Sequence, residues 1–242
     1  GQTSHLDSMH DPFTDLEINS KSQLSILEAF RHNNPKVKIV FASTRQIYGK
    51  PDYLPVDEKH PLRPVDVNGI NKISGEEYHL LYNNVYGIRA CALRLTNTYG
   101  PGMRIKDARQ TFVGIWMRKI IENQPFEVWG GEQLRDFNYV DDVVDAFLLT
   151  AADQRADGKV FNLGAEEIVS LRQLGEMLAS LEPSARFEIR EFPVERKKID
   201  IGDYFSDYSL IRKTLGWEPK MSLRDGLQAT LAYYKQHAKA YL

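Results

Sequence analysis

Along the first half of the chain the apolar residues switch between two spacings. Ile18, Leu24, Leu27 and Phe30 lie close to helical spacing and predict a helix over residues 15–31. The apolar run from Val37 to Ala42, bounded by Pro35 and the polar Ser43-Thr44, then predicts a buried strand. A loop carrying Pro51, Pro55, Pro61 and Pro64 follows, and Ile70, Ile73, Tyr78, Leu81 and Val85 mark a second helix that should end at Gly87 in a left-handed cap. Residues 90–95 are nearly continuous in apolar character, the pattern of a parallel strand covered on both faces, and stop at Thr96-Asn97. The first residues, Gly1 to Asp15, show no such periodicity and read as a polar loop.

The second half is more broken. It predicts a helix over 111–123, a strand over 126–129, a Gly130-Gly131 turn, a strand over 136–139, and a helix carrying Val140, Val143, Val144, Phe147, Leu148 and Ala151. Ser170 to Gln173 fits a capping box before Leu174, Leu178 and Leu181, and Ser222 to Asp225 opens another helix in a similar way. There is no internal repeat or flexible linker, so the halves should pack as one body with a cleft between them. Alternating helices and strands imply an α/β fold with a parallel sheet, in which ligands gather beyond the carboxyl ends of the strands. Those ends are Ser43-Thr44 and Thr96-Asn97, and the helix between them carries Lys72.

Composition narrows the class of partner. The 242 residues hold 31 Lys+Arg against 33 Asp+Glu, a net charge of −2 with no basic block, which argues against nucleic acid or an anionic membrane and for a small molecule. The lone Cys91 excludes an internal disulfide, and no CxxC or Cys/His cluster offers a metal site. No run reaches the roughly 18 apolar residues of a membrane span. A cytoplasmic protein is expected, with a portion missing ahead of Gly1, which is not a natural initiator.

Five segments occur in order: Ala42-Ser43-Thr44-Arg45-Gln46-Ile47-Tyr48-Gly49, Asn68-Gly69-Ile70-Asn71-Lys72, the run from Arg94 to Gly102, the run from Arg135 to Asp142, and Leu215-Gly216-Trp217. Together they resemble the extended short-chain dehydrogenase/reductase superfamily, in particular its NAD-dependent nucleotide-sugar epimerases and dehydratases. The resemblance implies a Rossmann-like, doubly wound parallel sheet with a smaller C-terminal mixed α/β substrate lobe. Residues 1–107 would be the remainder of the NAD-binding domain, and 108–242 mainly the sugar-nucleotide lobe, with some segments returning to the first. It implies NAD as cofactor, a nucleotide sugar as substrate, 4-epimerase-like chemistry, and a homodimer paired through helices over 19–33 and 70–86. The family's GxxGxxG turn, whose backbone amides hold the dinucleotide pyrophosphate, does not occur in the sequence, which implies a fragment.

The resemblance also assigns residues. The family uses a tyrosine and a lysine four apart on a helix, the lysine lowering the phenol's pKa so that it can act as base, together with a Ser or Thr at the preceding strand end. Lys72 and Thr44 match, but Asn68 stands at the tyrosine position, and an amide cannot take a proton from a sugar hydroxyl. Asn68 could instead be the N-cap of its helix, Thr44 a local backbone cap, and Lys72 a solvated side chain. Tyr48 and Tyr78 are nearby phenols, both read as core. Where the dehydratases carry an Asp-Glu pair this chain has Arg45-Gln46, which disfavours a 4,6-dehydratase. Asn19 and Ser43 match NAD-contacting positions. Asn97, Arg135 and Asp203 match substrate-binding ones, with an ion pair to Asp136 or Asp142 as the plainer role for Arg135. The Arg that the family carries near Gly202-Asp203 is absent, and Lys197 or Lys198 could supply its charge. The rival to an enzyme is a member that binds NAD and a sugar nucleotide but has lost catalysis.

Overall fold

The computed structural model describes residues 4–106, 111–193 and 200–242. Its first part runs α1 (His5–His10), α2 (Pro12–Leu16), a π-helical turn (Glu17–Lys21), α3 (Ser22–Asn33), β1 (Lys38–Thr44), a 3₁₀ turn (Arg45–Tyr48), α4 (Val67–Tyr86), β2 (Arg89–Leu95) and β3 (Asn97–Tyr99). Then come α5 (Phe112–Ile121), β4 (Phe126–Trp129), β5 (Leu134–Tyr139), α6 (Val140–Ala152), β6 (Val160–Asn162) and β7 (Ile168–Ser170). The last described elements are α7 (Leu171–Leu181), β8 (Phe187–Arg190), α8 (Ser209–Leu215) and α9 (Leu223–Tyr241).

Three of these strands form a parallel sheet in the order β1-β2-β6, with Lys38 opposite Arg89 and Thr44 opposite Leu95. Alternate side chains face alternate sides, as the strand period requires. Val40, Cys91, Leu93 and Phe161 pack with Val143 and Ala146 of α6, Ile211 and Leu215 of α8, and Trp217. Ile39, one residue over, joins Leu27 of α3 and Tyr82 of α4 on the other side. The sheet is thus covered by helices on both faces, the expected doubly wound arrangement. The matched register brings Thr44 and Thr96 to one edge, where a site can form. A second core gathers Trp116, Met117, Phe126, Phe137, Leu174, Leu178, Leu227 and Leu231 around the small sheets β3-β5-β7 and β4-β8. Among the described residues no helix is long and apolar enough to cross a membrane.

The expected helix ends are formed by local chemistry. Gly87 closes α4 at φ 69°, a left-handed conformation that costs a glycine little. Ser170 and Gln173 make a reciprocal capping box, with Ser170 Oγ accepting from Gln173 N at 3.1 Å and Gln173 Oε1 accepting from Ser170 N at 2.8 Å. Two expectations are corrected. The opening polar segment is helical, because Ser4 and Asp11 accept from the amides of Asp7 and Thr14, both at 3.1 Å, and Pro12 starts α2 with its φ preset. The helix expected over 15–31 is in fact α2, a π turn and α3. Ser22 and Ser25 hydroxyls donate back to the carbonyls of Ile18 and Lys21, a competition with the helix ladder that bends helices.

A buried polar chain ties these elements together. Arg94 of β2 donates through Nε to both oxygens of the fully buried Glu76 on α4 at 3.2 Å. Its Nη1 donates to Tyr48 OH at 2.6 Å, and Tyr48 donates onward to Asn162 Oδ1 at 2.7 Å. Asn162 donates to Val56 O at 2.9 Å and, through its amide, to Glu58 at 2.7 Å. Breaking a buried ion pair from one side leaves an uncompensated charge, a loss of about 3–5 kcal/mol. Glu76→Gln should therefore destabilise the fold by that amount in urea unfolding, and a loss below 1 kcal/mol would show the pair to be dispensable.

Candidate functional site

The site begins where β1 ends. Ser43 is buried, and its Oγ has no hydrogen-bond partner among the described residues. Thr44 has extended backbone and caps the 3₁₀ turn, its Oγ1 accepting from Gln46 N at 3.3 Å. Across from it Lys72 of α4 reaches the sheet, where Nζ donates to Ala42 O at 3.1 Å and lies 5.0 Å from the Phe41 ring centroid. Burial pushes the Lys72 pKa down, and Asp15 pulls it the other way. Asn19 is buried in the π turn beneath. Tyr48 is fully buried, and burial raises its pKa far beyond the range of a useful base. Tyr78 packs against the Leu27 cluster.

Asn68 is not the N-cap of α4. That place belongs to Asp66, whose Oδ1 accepts from Gly69 N at 2.6 Å while Oδ2 takes His5 Nδ1 at 2.9 Å and Gln46 Nε2 at 3.3 Å. The correction follows from backbone geometry: Asp66 is extended and three residues before the amide it caps, whereas Asn68 already lies in the helix. A Cβ at Gly69 would come within 2.7 Å of Pro64 Cβ, so the glycine lets the loop pack onto the helix start. Asn68 instead donates from Nδ2 to Asp15 Oδ2 at 3.1 Å, and Asn71 donates to Asp15 Oδ1 at 2.8 Å. Asp15 is fully buried. Asn68 is thus held by a carboxylate on α2.

The other side of the site gathers around β3 and β5. Asn97 accepts from Arg45 Nη2 at 3.0 Å through Oδ1 and donates to Asp136 O at 2.9 Å. Arg135 is buried; it donates to Leu134 O at 2.8 Å and to Gly202 O, and lies 3.5 Å from Asp200 Oδ1. Its ion-pair partner is therefore Asp200, neither Asp136 nor Asp142. The two excluded carboxylates are engaged elsewhere, Asp136 by the Thr96 hydroxyl and Ser206 N, Asp142 by the amides of Lys220 and Met221. Burial, and then the neighbouring Arg45, push the Arg135 pKa down to about 10. Burial also lowers the pKa of Arg45. Asp203 is exposed and accepts from Leu134 N at 2.9 Å, which fastens the 200–204 segment along β5. Lys197 and Lys198 lie outside the described residues.

The structure brings Ser43, Thr44 and Lys72 to one strand end and joins Asn97 to Arg45, while Arg135 and Asp203 clamp the neighbouring segment. Sequence reasoning missed Asp15, whose role depends on contacts with residues far along the chain. It took Arg45 only as the absence of an acid, although a charged residue directly after the strand-end threonine was the available signal.

Comparison with known proteins identifies the family. Residues 1–164 match the model of the NAD dependent epimerase/dehydratase family, and the chain belongs to that family. It is 35% identical over 235 residues to a putative UDP-glucose 4-epimerase of Methanocaldococcus jannaschii, covering 95% of this chain and 73% of the relative. GDP-mannose 3,5-epimerase 1 of Oryza sativa subsp. indica is 32% identical, with 90% of this chain matched to only 58% of that protein. The crystal structure of UDP-glucose 4-epimerase with UDP-glucose from Thermotoga maritima superposes with a TM-score of 0.90 at 30% identity, over 98% of this chain and 76% of that one.

The cap on the helix that carries Asn68 and Lys72 has a pH signature. Burial alone would raise the Asp66 pKa, but the hydrogen bonds and charge of His5 and the amide of Gly69 hold it below 3.8. A depressed folded-state pKa adds stability above the unfolded value, and that stability disappears as pH falls through the folded value. Against Asp66→Asn, which keeps a capping oxygen, the native protein should be more stable by roughly 1 kcal/mol at pH 6, with the gap closing below pH 3.8. Urea unfolding across that range measures it, and a gap independent of pH would refute the charge effect.

Proposed function

We propose that this protein acts as an NAD-dependent epimerase of a nucleotide-activated sugar, most simply a UDP-hexose 4-epimerase-like enzyme. The observation that carries the reading is that half-buried Lys72 reaches the end of β1, where Ser43 and Thr44 stand, opposite the Asn97 and Arg135 side. The orphaned Ser43 hydroxyl and the Lys72 ammonium fit the nicotinamide-ribose end of NAD, and Asn19 lies in the turn behind them. Bound NAD would supply the reversible two-electron oxidation of a sugar hydroxyl. Thr44 would hold that hydroxyl by hydrogen bond, Lys72 would fix the ribose and lend positive charge, and Asn97, Arg135 and Asp203 would seat the nucleotide diphosphate side. The names of the archaeal relative and of the Thermotoga structure, both UDP-glucose 4-epimerases, support the substrate class. On this reading residues 1–107 serve mainly the cofactor and 108–242 mainly the substrate, in a cytoplasmic protein.

A second reading, a binding or regulatory module, is favoured by one observation. Asn68 stands in the place of the proton acceptor and is bonded to Asp15. A phenol introduced there would gain from Lys72 but face the Asp15 carboxylate, which raises its pKa. Asn68→Tyr alone should thus accelerate UDP-glucose to UDP-galactose conversion less than the pair Asn68→Tyr with Asp15→Asn, whose gain should approach the 10²–10⁴-fold typical of general base catalysis. The assay uses the full-length protein, with bound NAD measured by absorbance and mass spectrometry. Ordinary turnover by the native protein would show that Asn68 does not weaken catalysis; NAD binding with silence from every form on UDP-glucose and UDP-glucuronate alike would favour the binding module.

We also propose a homodimer. Ile26 of α3 and Ile70, Leu81 and Val85 of α4 are 43%, 55%, 50% and 61% exposed, an apolar surface suited to a self-complementary helix pairing. Light scattering at micromolar concentration should give twice the chain mass, and Leu81→Glu should halve it. A native monomer would overturn the assembly.

A further inference from the structure

Among the described residues Arg45 forms no salt bridge, although the carboxylates of Asp136 and Asp200 act on its charge from a distance. It follows Thr44 directly and opens the 3₁₀ turn, with its guanidinium carbon 5.2 Å from the Tyr204 ring centroid. One edge of the guanidinium is fixed, since Nη2 donates to Asn97 Oδ1 at 3.0 Å. The other is not: Nη1 is buried and has no hydrogen-bond partner among the described residues. The carboxylates around it are committed elsewhere. Asp200 lies 3.5 Å from Arg135, Asp203 accepts from Leu134 N at 2.9 Å, and Asp136 takes the Thr96 hydroxyl and Ser206 N. Arg135 adds a second buried guanidinium to the same neighbourhood, where the two cations act on each other. An uncompensated buried cation is costly to the fold, and it is also a preorganised donor for any anion that enters.

We propose that Arg45 is a specificity residue whose unpartnered edge binds an oxyanion of the substrate beside Thr44. The inference rests on the nucleotide-sugar reading above. Two parts of such a substrate carry an oxyanion: the diphosphate, and a carboxylate on the sugar ring where the sugar is acidic. Position favours the second. Arg45 is the chain neighbour of the threonine assigned to the reacting sugar, whereas the diphosphate side is assigned its own cation, Arg135. A planar guanidinium with one edge held offers the remaining N–H groups to a carboxylate in a fixed direction, which a neutral hydroxymethyl group cannot match. The protein therefore selects nucleotide-activated acidic sugars over their neutral counterparts.

Calorimetric titration tests this with matched ligands: UDP-glucose and UDP-glucuronate, GDP-mannose and GDP-mannuronate, and free UDP and GDP. The proteins compared are the native form, Arg45→Gln and Arg45→Lys, each full-length. Arg45→Gln should weaken the acidic sugar by roughly 10- to 100-fold, the value of a charge-assisted hydrogen bond, and leave the neutral sugar and the nucleotide nearly unchanged. Arg45→Lys should recover part of the loss. The melting temperature of Arg45→Gln should stay level or rise, because an unpaired buried charge has gone. A uniform loss that includes free UDP, at an unchanged melting temperature, supports an oxyanion contact and assigns it to the diphosphate. Unchanged affinities overturn the proposal, as does a uniform loss with a lowered melting temperature, which would mark Arg45 as a brace for Asn97. If the native protein binds none of these ligands, the nucleotide-sugar reading itself falls and takes this one with it.

Discussion

The bond between Arg94 and Glu76 sets the position of everything that could do chemistry here. Glu76 lies one helical turn beyond Lys72 on α4, and side chains four apart share a face, so pinning the one to β2 fixes the rotation and height of the other above the sheet. Lys72 then meets the Ala42 carbonyl at the end of β1. The same guanidinium holds Tyr48, the last residue of the 3₁₀ turn that starts at Arg45. One buried pair thus orients both the helix and the loop that flank the strand end. A hydrophobic substitute could pack as well, but it would not specify which turn of the helix faces which strand.

Much of the fold was legible because its signals are local. The Gly87 stop, the Ser170 capping box and the apolar runs of β1 and β2 each depend on residues within a few positions of one another, and all appear as expected. The opening helices were not legible, since Ser4 and Asp11 announce them by capping chemistry and no apolar stripe accompanies it. The site was half visible. Thr44 and Lys72 could be placed by motif, but the grip of Asp15 on Asn68, and the choice of Asp200 over Asp136 by Arg135, join segments distant in sequence. No spacing rule encodes such contacts.

The polar groups of the site divide by what they lack. Among the described residues Ser43 Oγ near Lys72 and Arg45 Nη1 near Asn97 are buried without a hydrogen-bond partner, as are the acceptors Gln46 Oε1 and Asn138 Oδ1 and the Thr98 hydroxyl. Asp136, in contrast, accepts from the Thr96 hydroxyl and Ser206 N, and burial raises its pKa while these hydrogen bonds and Arg45 lower it. Buried polar groups held without partners cost the fold stability, a familiar cost of preorganisation.

The segment that carries Tyr204 and Ser206 fastens to both parts of the molecule. Tyr204 N donates to Leu134 O at 3.0 Å on β5, while Val56 N donates to Phe205 O at 2.9 Å and Asp207 N donates to Val56 O at 2.8 Å. Val56 is in turn held by Asn162, at the end of the parallel sheet. The segment is therefore a strap whose two attachments, Leu134 and Val56, both lie far back along the chain, and closing it carries the entropy of a long loop. Such contacts come late in folding, after the local helices and the β1-β2 pair have formed. The anion-facing wall, with Tyr204 against Arg45, is consequently assembled last, and a chain whose two cores are already packed can still be without it.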